Sequence, residues 1–237
     1  QYNWGDGINW PWQITQALQH DMFSGYFHDQ VSKFNDKNSV YKINTGWTNA
    51  GWNYTYKYIF PVAHSSELNS EGVEQAIHYY GLTQILKVEL MHRISDTYGP
   101  VVYSKFGNGE VNSVDTQQEA YAAFFSDLDK GIDAMDKYLK NGGDDLSLNA
   151  NDMLNAKSIK GWIKFANSLR LRLAMRISNV DKTNAEIQAK KALANPYGVL
   201  EAANEIIQVS GHGYTNPLIA IGGWGEAYMG ATMASVL

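Results

Sequence analysis

Apolar residues between Ser158 and Ser178 recur at steps of three and four: Ile159, Trp162/Ile163, Ala166, Leu169, Leu173 and Ile177. That spacing predicts one face of an α-helix. Phe165, Leu171 and Met175 fall off the face. The apolar surface is therefore wider than one stripe, and the helix is expected to be covered on more than one side, at the centre of an all-helical stack. Its charges, Lys164, Arg170, Arg172 and Arg176, must then snorkel or pair, because a lone buried cation is costly.

The same period marks further helices. Ile14, Ala17/Leu18, Asp21/Met22 and Gly25/Tyr26 predict one from Trp12 to about Phe27. Gln30–Gly51 is polar and reads as loop, with room for a short strand at Val40–Ile43. Trp52, Tyr56 and Ile59/Phe60 return to helical spacing, and Pro61 is placed to kink or end that helix. Val73, Ala76/Ile77, Tyr80, Ile85/Leu86, Leu90 and Ile94 predict a helix over Ser70–Tyr98, stopped by Gly99-Pro100. Val101–Tyr103 reads as a short extended piece, and Lys105–Val114 as loop.

Thr116-Gln117-Gln118-Glu119 is a capping box, opening a helix with Tyr121, Phe124/Phe125, Leu128, Ile132, Met135 and Leu139 on one stripe. Asn141-Gly142-Gly143 ends it. Asp144–Asn155 is an acidic connector. Thr183-Asn184-Ala185-Glu186 has the pattern of a second capping box, with its helix closed by Asn195-Pro196. Ile206–Val209 reads as a short strand, Gly211–Gly225 as loop, and Ala227–Leu237 as helical.

These elements, helices in pairs joined by short connections, predict a mainly α, TPR-like scaffold with long aromatic-rich loops, in one domain over residues 1–237. At 237 residues the chain is long enough for a sizeable core. The net charge of -5 argues against nucleic acid or an anionic membrane surface as a partner. With no cysteine, the chain has no disulfide, thiol nucleophile or Cys-based zinc site of its own. It starts at Gln1 without methionine, so a processed or trimmed piece is expected.

Several runs carry a resemblance. WIKFANSLRLRLAMRI (Trp162–Ile177) is similar to the most specific internal signature of the SusD/RagB family of outer-membrane nutrient-binding lipoproteins. LQHDMFSGYF, the pattern Trp52-x3-Tyr56-x2-Ile59, LMHRISDTYGPVVYSKFG and Tyr121-x5-Asp127-Leu128 resemble other family passages, in the same order. Departures are mild: Val62-Ala63-His64 replaces an alanine-asparagine pair, Val102 replaces a proline, and the connector at Asp152 lacks a glycine-aspartate. Asn216-Pro217-Leu218 and Ser235-Val236-Leu237 resemble passages that lie mid-protein in the family, so a further C-terminal region is expected. The resemblance implies a non-catalytic protein that captures oligosaccharide for a SusC-like TonB-dependent transporter. It also implies a place on the outside of the outer membrane, held by a lipidated cysteine upstream of Gln1. A RagB-like peptide binder is the alternative within the family, and a glycoside hydrolase is the alternative outside it.

The residues' own chemistry favours binding over catalysis. HExxH, G-x-S-x-G and P-loop motifs are absent. Asp127 and Asp129 point to different sides of a helix, and Asp144 and Asp145 sit in a solvated turn, so neither carboxylate pair suits a glycosidase. The six histidines are scattered and no metal or cofactor is expected; the oxygen-rich stretches Gly107–Asp115 and Asp144–Asp152 read as polar loop rather than calcium sites.

What stands out is 7 Trp, 15 Tyr and 8 Phe, many in Gly/Asn/Thr-rich segments. A sugar's C–H face packs on a flat ring. Covering about 100 Å² contributes about 2.5 kcal/mol, so micromolar binding at about 8 kcal/mol needs two or three such platforms plus hydrogen bonds. Trp47, Trp52 and Tyr54, with Asn49 and Asn53 between them, supply that chemistry. Trp10/Trp12 and Trp224/Tyr228 are second choices. Packing roles compete with this reading: they are favoured for Trp12, Trp52 and Trp162, and evenly matched for Trp47.

Overall fold

The computed structural model describes residues 12–29, 40–107, 113–152, 154, 156–205, 207, 217–223, 225 and 227–236. The described chain is mainly helical, and it divides into two compact units, residues 60–210 and residues 1–59 with 211–237.

Residues 60–210 form a stack of helices. Helix α3 (Phe60–Ser70) is followed by Gly72 at φ 73° and a 3₁₀ turn, Glu74–Ala76, before α4 (Ile77–Tyr98). The helix expected from Ser70 thus begins at Ile77, because the left-handed glycine breaks the run. Gly99 at φ 81° ends α4 where the sequence placed the stop. Val101–Tyr103 is buried, and Val101 bridges Asp115 in antiparallel fashion. Helix α5 (Gln117–Lys140) opens on the expected capping box: the Thr116 hydroxyl accepts from the Glu119 amide at 3.2 Å, and the Glu119 carboxylate accepts from the Thr116 amide at 2.8 Å.

Helix α6 (Ile159–Ile177) is capped by the Ser158 hydroxyl, and Asp145 in the acidic connector accepts from the amides of Ile159 and Lys160. Helix α7 (Lys182–Leu193) starts two residues before the expected box. Asp181, not Thr183, is its cap and accepts from the Asn184 amide at 3.1 Å. A carboxylate at that position outcompetes the hydroxyl two residues on.

Successive helices pack on one another, most closely α4 on α5. Gly81 and Gly131 make that closeness possible. A Cβ on Gly81 would stand 2.8 Å from the Gly131 carbonyl oxygen and 2.8 Å from the Met135 side chain. Around this contact lie Ile85, Val88, Met91, Phe124, Leu128 and Met135, all buried.

The α6 stripe is buried as its spacing predicts, from Ile159 to Ile177. Met175 is a correction: it is 64% exposed, on the solvent side of a helix whose neighbours do not surround it fully. The charges of α6 largely pair, as expected. Arg170, 1% exposed, meets Asp129 at 2.5 Å and Gln188 at 2.7 Å. Arg176 meets Asp96 at 2.7 Å, and Lys164 pairs with Glu205.

Residues 1–59 and 211–237 form a smaller unit. Helix α1 combines a π-helical run, Gln13–His20, with one α-turn, Asp21–Phe23. It stops there rather than at Phe27. Gly25 turns the chain at φ 75°, and strand β1 (Phe27–Asp29) pairs antiparallel with β2 (Ala227–Met229) in the register Phe27↔Met229. Helix α2 (Thr45–Tyr54) runs into a π turn, Thr55–Ile59, so Thr45–Gly51 is helix rather than loop. Pro61 neither ends nor breaks the helical run, which continues through Ser70; it follows directly on the π turn, where the regular hydrogen-bond ladder is already shifted.

Helix α8 (Pro217–Gly223) occupies part of the expected Gly211–Gly225 loop. Ala227–Leu237 is β2 followed by a short α9 (Ala231–Ala234), not one helix. Ala17, Leu18, Met22 and Ile221 form this unit's core, with Phe27, Trp47, Leu218 and Ala227 packed on it. The Ile206–Val209 strand and the loop over 211–216 lie outside the described residues, apart from Ile207.

Two outcomes follow. Gly81→Ala is expected to destabilise by about 2 kcal/mol, since overpacking against backbone outweighs a helix-propensity gain of at most about 1 kcal/mol; the thermal midpoint should fall. His78 is buried and stacked on Tyr138 with ring centroids 4.2 Å apart, and burial holds its imidazole below the ordinary value of 6.5. As pH falls below that value, the unfolded chain takes up the proton first, so stability is full above it and declines below. Denaturation midpoints from pH 7 to 5 should show this slope, and His78→Phe should reduce it, buried His92 supplying the remainder.

Candidate ligand site

Helix α2 forms from a sequence rich in poor helix formers, Thr-Gly-Trp-Thr-Asn-Ala-Gly. Two features outweigh propensity. The Asn44 side chain caps the helix, accepting from the Trp47 amide at 3.1 Å, and the Asn44 carbonyl accepts from the Thr48 hydroxyl at 3.1 Å. Trp47 packs on the core of α1 and α8, which anchors the first turn.

Gly46, Ala50, Asn53 and Lys57 then follow spacings of four, three and four, along one helix face. Gly46 and Ala50 carry little or no side chain, so space remains above them. Tyr54 and Tyr58 border that face on one side, with stacked rings 6.0 Å apart at 26°. Trp52 and Tyr56 border it on the other, 4.6 Å apart and tilted by 51°. With Ile14 of α1 these residues line an open cavity of about 700 Å³.

The cavity's polar chemistry is specific. Asn53 offers an amide donor and acceptor, the tyrosines offer hydroxyls, and Lys57 is the lone charged side chain among the described lining residues. The Lys57 ammonium lies 5.1 Å from the Tyr58 ring centroid, a cation–π distance. Burial, then the neighbouring Tyr58, pushes the Tyr54 hydroxyl above its ordinary value. It therefore stays a hydrogen-bond donor through the neutral range.

Of the residues singled out from sequence, Trp52 and Tyr54 meet in this cavity, as does Asn53. Trp47 is half-buried and packed on the core, and neither it nor exposed Asn49 lines the cavity. Trp10 and Trp224 lie outside the described residues. Tyr228 is 49% exposed on β2. Tyr56, Lys57 and Tyr58 went unnamed as site residues, although the alternation Trp52-Asn-Tyr54-Thr-Tyr56-Lys-Tyr58 carried the signal.

A second cavity of about 280 Å³, at the start of α6, is lined by Lys157, Lys160, Lys164 and Glu205 among others. Amides of Glu201 and Ala202, together with Lys164, hold the Glu205 carboxylate down to about 2; Lys160 meets Asp145 at 3.6 Å and Lys157 donates to the Asn204 carbonyl at 3.3 Å, so each of these cations has its own partner. Asp127 and Asp129 face apart, as expected: Asp127 meets Lys87, Lys130 and Tyr103, and Asp129 meets Arg170 and Lys191. Among the described residues no group of three or more His, Asp or Glu could hold a metal ion.

The described geometry has close counterparts. The model of the family described as Susd and RagB outer membrane lipoprotein matches residues 2–237. A SusD homologue from Bacteroides vulgatus is 64% identical, with a TM-score of 0.93, over 100% of this chain and 47% of its own. A chitin-binding SusD homologue from Flavobacterium johnsoniae is 35% identical, with a TM-score of 0.88, over 94% of this chain and 47% of its own. A SusD homologue from Bacteroides uniformis is 30% identical, with a TM-score of 0.77, over 89% of this chain and 43% of its own. The chain thus spans about half the length of the solved relatives it resembles. No curated protein sequence matches it.

The cap is testable. Asn44→Ala should cost about 1 kcal/mol in α2, seen as faster hydrogen exchange at the amides of Trp47 and Thr48 while the α5 amides are unchanged.

Proposed function

This chain belongs to the SusD and RagB outer membrane lipoprotein family, and from that premise we propose that it captures a glycan on the aromatic walls of the α2 cavity. The carrying observation is the set of four rings, Trp52, Tyr54, Tyr56 and Tyr58, around a floor of small residues with Asn53 and Lys57 beside it. Rings on two sides supply the two or three platforms that micromolar affinity needs. Asn53 and the tyrosine hydroxyls supply the directional bonds that fix a sugar's orientation. The F. johnsoniae relative, described as chitin-binding, supports a glycan as cargo.

The protein works by binding and not by turnover. Asp127 and Asp129 are engaged elsewhere as ion-pair partners, and none of the described lining residues of the cavity is a carboxylate. In this reading the protein stands on the cell surface, held by a lipidated cysteine upstream of Gln1. It passes oligosaccharide to a SusC-like TonB-dependent transporter. Trp47 and Asn49 support the site from the same helix: Trp47 anchors α2, and exposed Asn49 offers a further hydrogen-bonding group to a long ligand.

Calorimetry and affinity electrophoresis against a glycan panel that includes chitooligosaccharides test this. Trp52→Ala and Tyr58→Ala are each expected to weaken binding about tenfold or more, without loss of fold by circular dichroism. Binding of peptides in place of every glycan would point instead to the RagB-like branch, and undiminished glycan binding in both variants would remove the cavity from the site.

A further inference from the structure

Among the described residues, no carboxylate lies within ion-pair distance of the cation in the cavity wall, Lys57. Lys87, Lys130, Lys140, Lys160, Lys164 and Arg170 each lie within ion-pair distance of an aspartate or glutamate. Lys57 makes no such pair among the described residues. Its described interaction is with the Tyr58 ring, and none of the cavity's described lining residues is acidic. What sets Lys57 apart is its place, on the described lining of a cavity walled by four aromatic rings.

The geometry suits one chemistry. A sugar ring stacked on Tyr58 or Tyr54 presents its equatorial rim to the side, and Lys57 sits beside those rings on the same lining. A carboxylate or sulfate on that rim meets a positive charge across a short distance. A neutral sugar gains at most an ordinary hydrogen bond there, whereas an anionic one gains a charge-assisted bond. The cation–π contact with Tyr58 restrains the ammonium near the ring before a ligand arrives, which reduces the ordering cost on binding.

We propose that Lys57 makes the α2 cavity selective for glycans carrying an anionic sugar, a uronate or a sulfated residue, over neutral ones of equal length. This rests on the glycan reading of the same cavity. The two are separable, because Lys57 governs preference and the rings govern binding itself.

The test uses the 237-residue chain and three probes of matched length: an oligogalacturonate, a chondroitin-type sulfated oligosaccharide and a chitooligosaccharide. Calorimetry at low salt should show at least one anionic probe bound about fivefold or more tightly than the chitooligosaccharide, and the two anionic arms distinguish carboxylate from sulfate. Lys57→Gln should remove that preference by weakening the anionic probes at least about fivefold more than the neutral one. Lys57→Arg should retain it. The preference should also shrink in 0.5 M NaCl, where exposed charges are screened.

Equal affinity for all three probes, or a loss in Lys57→Gln as large for the neutral probe as for the anionic ones, overturns the selectivity and leaves glycan binding standing. Binding of no probe of either kind overturns both.

Discussion

The ammonium of Lys87 cannot be left alone where it sits. It is 6% exposed, and a buried charge without a partner costs several kcal/mol. Glu67 of α3 answers it at 2.7 Å and Asp127 of α5 at 3.4 Å, with Gln84 one turn away on α4 at 3.3 Å. Asp127 also takes the Tyr103 hydroxyl at 2.6 Å, and Gln84 donates to Glu67 at 2.8 Å. One cation thereby fixes the mutual register of three helices and the buried 101–103 segment. The Gly81–Gly131 contact brings α4 and α5 close, and the Lys87 network sets how far one can slide along the other. Burial and the nearby Asp127 together push the Tyr103 hydroxyl well up, so it keeps its proton and its donor role in the network.

The smaller unit solves a different problem with less material. Its apolar core is a handful of side chains from α1 and α8, with Trp47 and the paired strands closing it. Trp47 therefore anchors the helix whose next turns carry the rings of the cavity. Those rings hold one another in i,i+4 pairs, Trp52 with Tyr56 and Tyr54 with Tyr58, so their faces are set by neighbours on the same helix. A surface that is aromatic and locally braced loses little freedom when a ligand arrives, which favours recognition of weakly interacting ligands.

Sequence reading succeeded wherever the deciding contacts are local or periodic. The Thr116 box, the Gly99 stop and the α6 stripe all depend on residues within one or two turns, and each is found as its spacing predicts. Pairing of the α6 charges followed from the cost of an isolated cation, though the partners Asp129 and Asp96 could not be named in advance. For the site, the aromatic content of residues 47–58 was legible, and Trp52, Asn53 and Tyr54 line one cavity, Trp52 where the sequence favours a packing role.

Three things needed the folded chain. The strand pairing of Phe27–Asp29 with Ala227–Met229 joins residues some two hundred positions apart, and each half reads locally as the end of a helix. The helix at Thr45 exists because Asn44 caps it and Trp47 is buried against α1 and α8, which its Gly- and Thr-rich sequence cannot disclose. Which tryptophan packs and which faces the cavity depends on what lies opposite each ring. The sequence by itself therefore determined the family, the helical scaffold and the aromatic character of residues 47–58, because these rest on short-range pattern. Tertiary structure alone decided that Trp47 supports while Trp52 and Tyr54 face the cavity, because that division is made by contacts with segments distant in the chain.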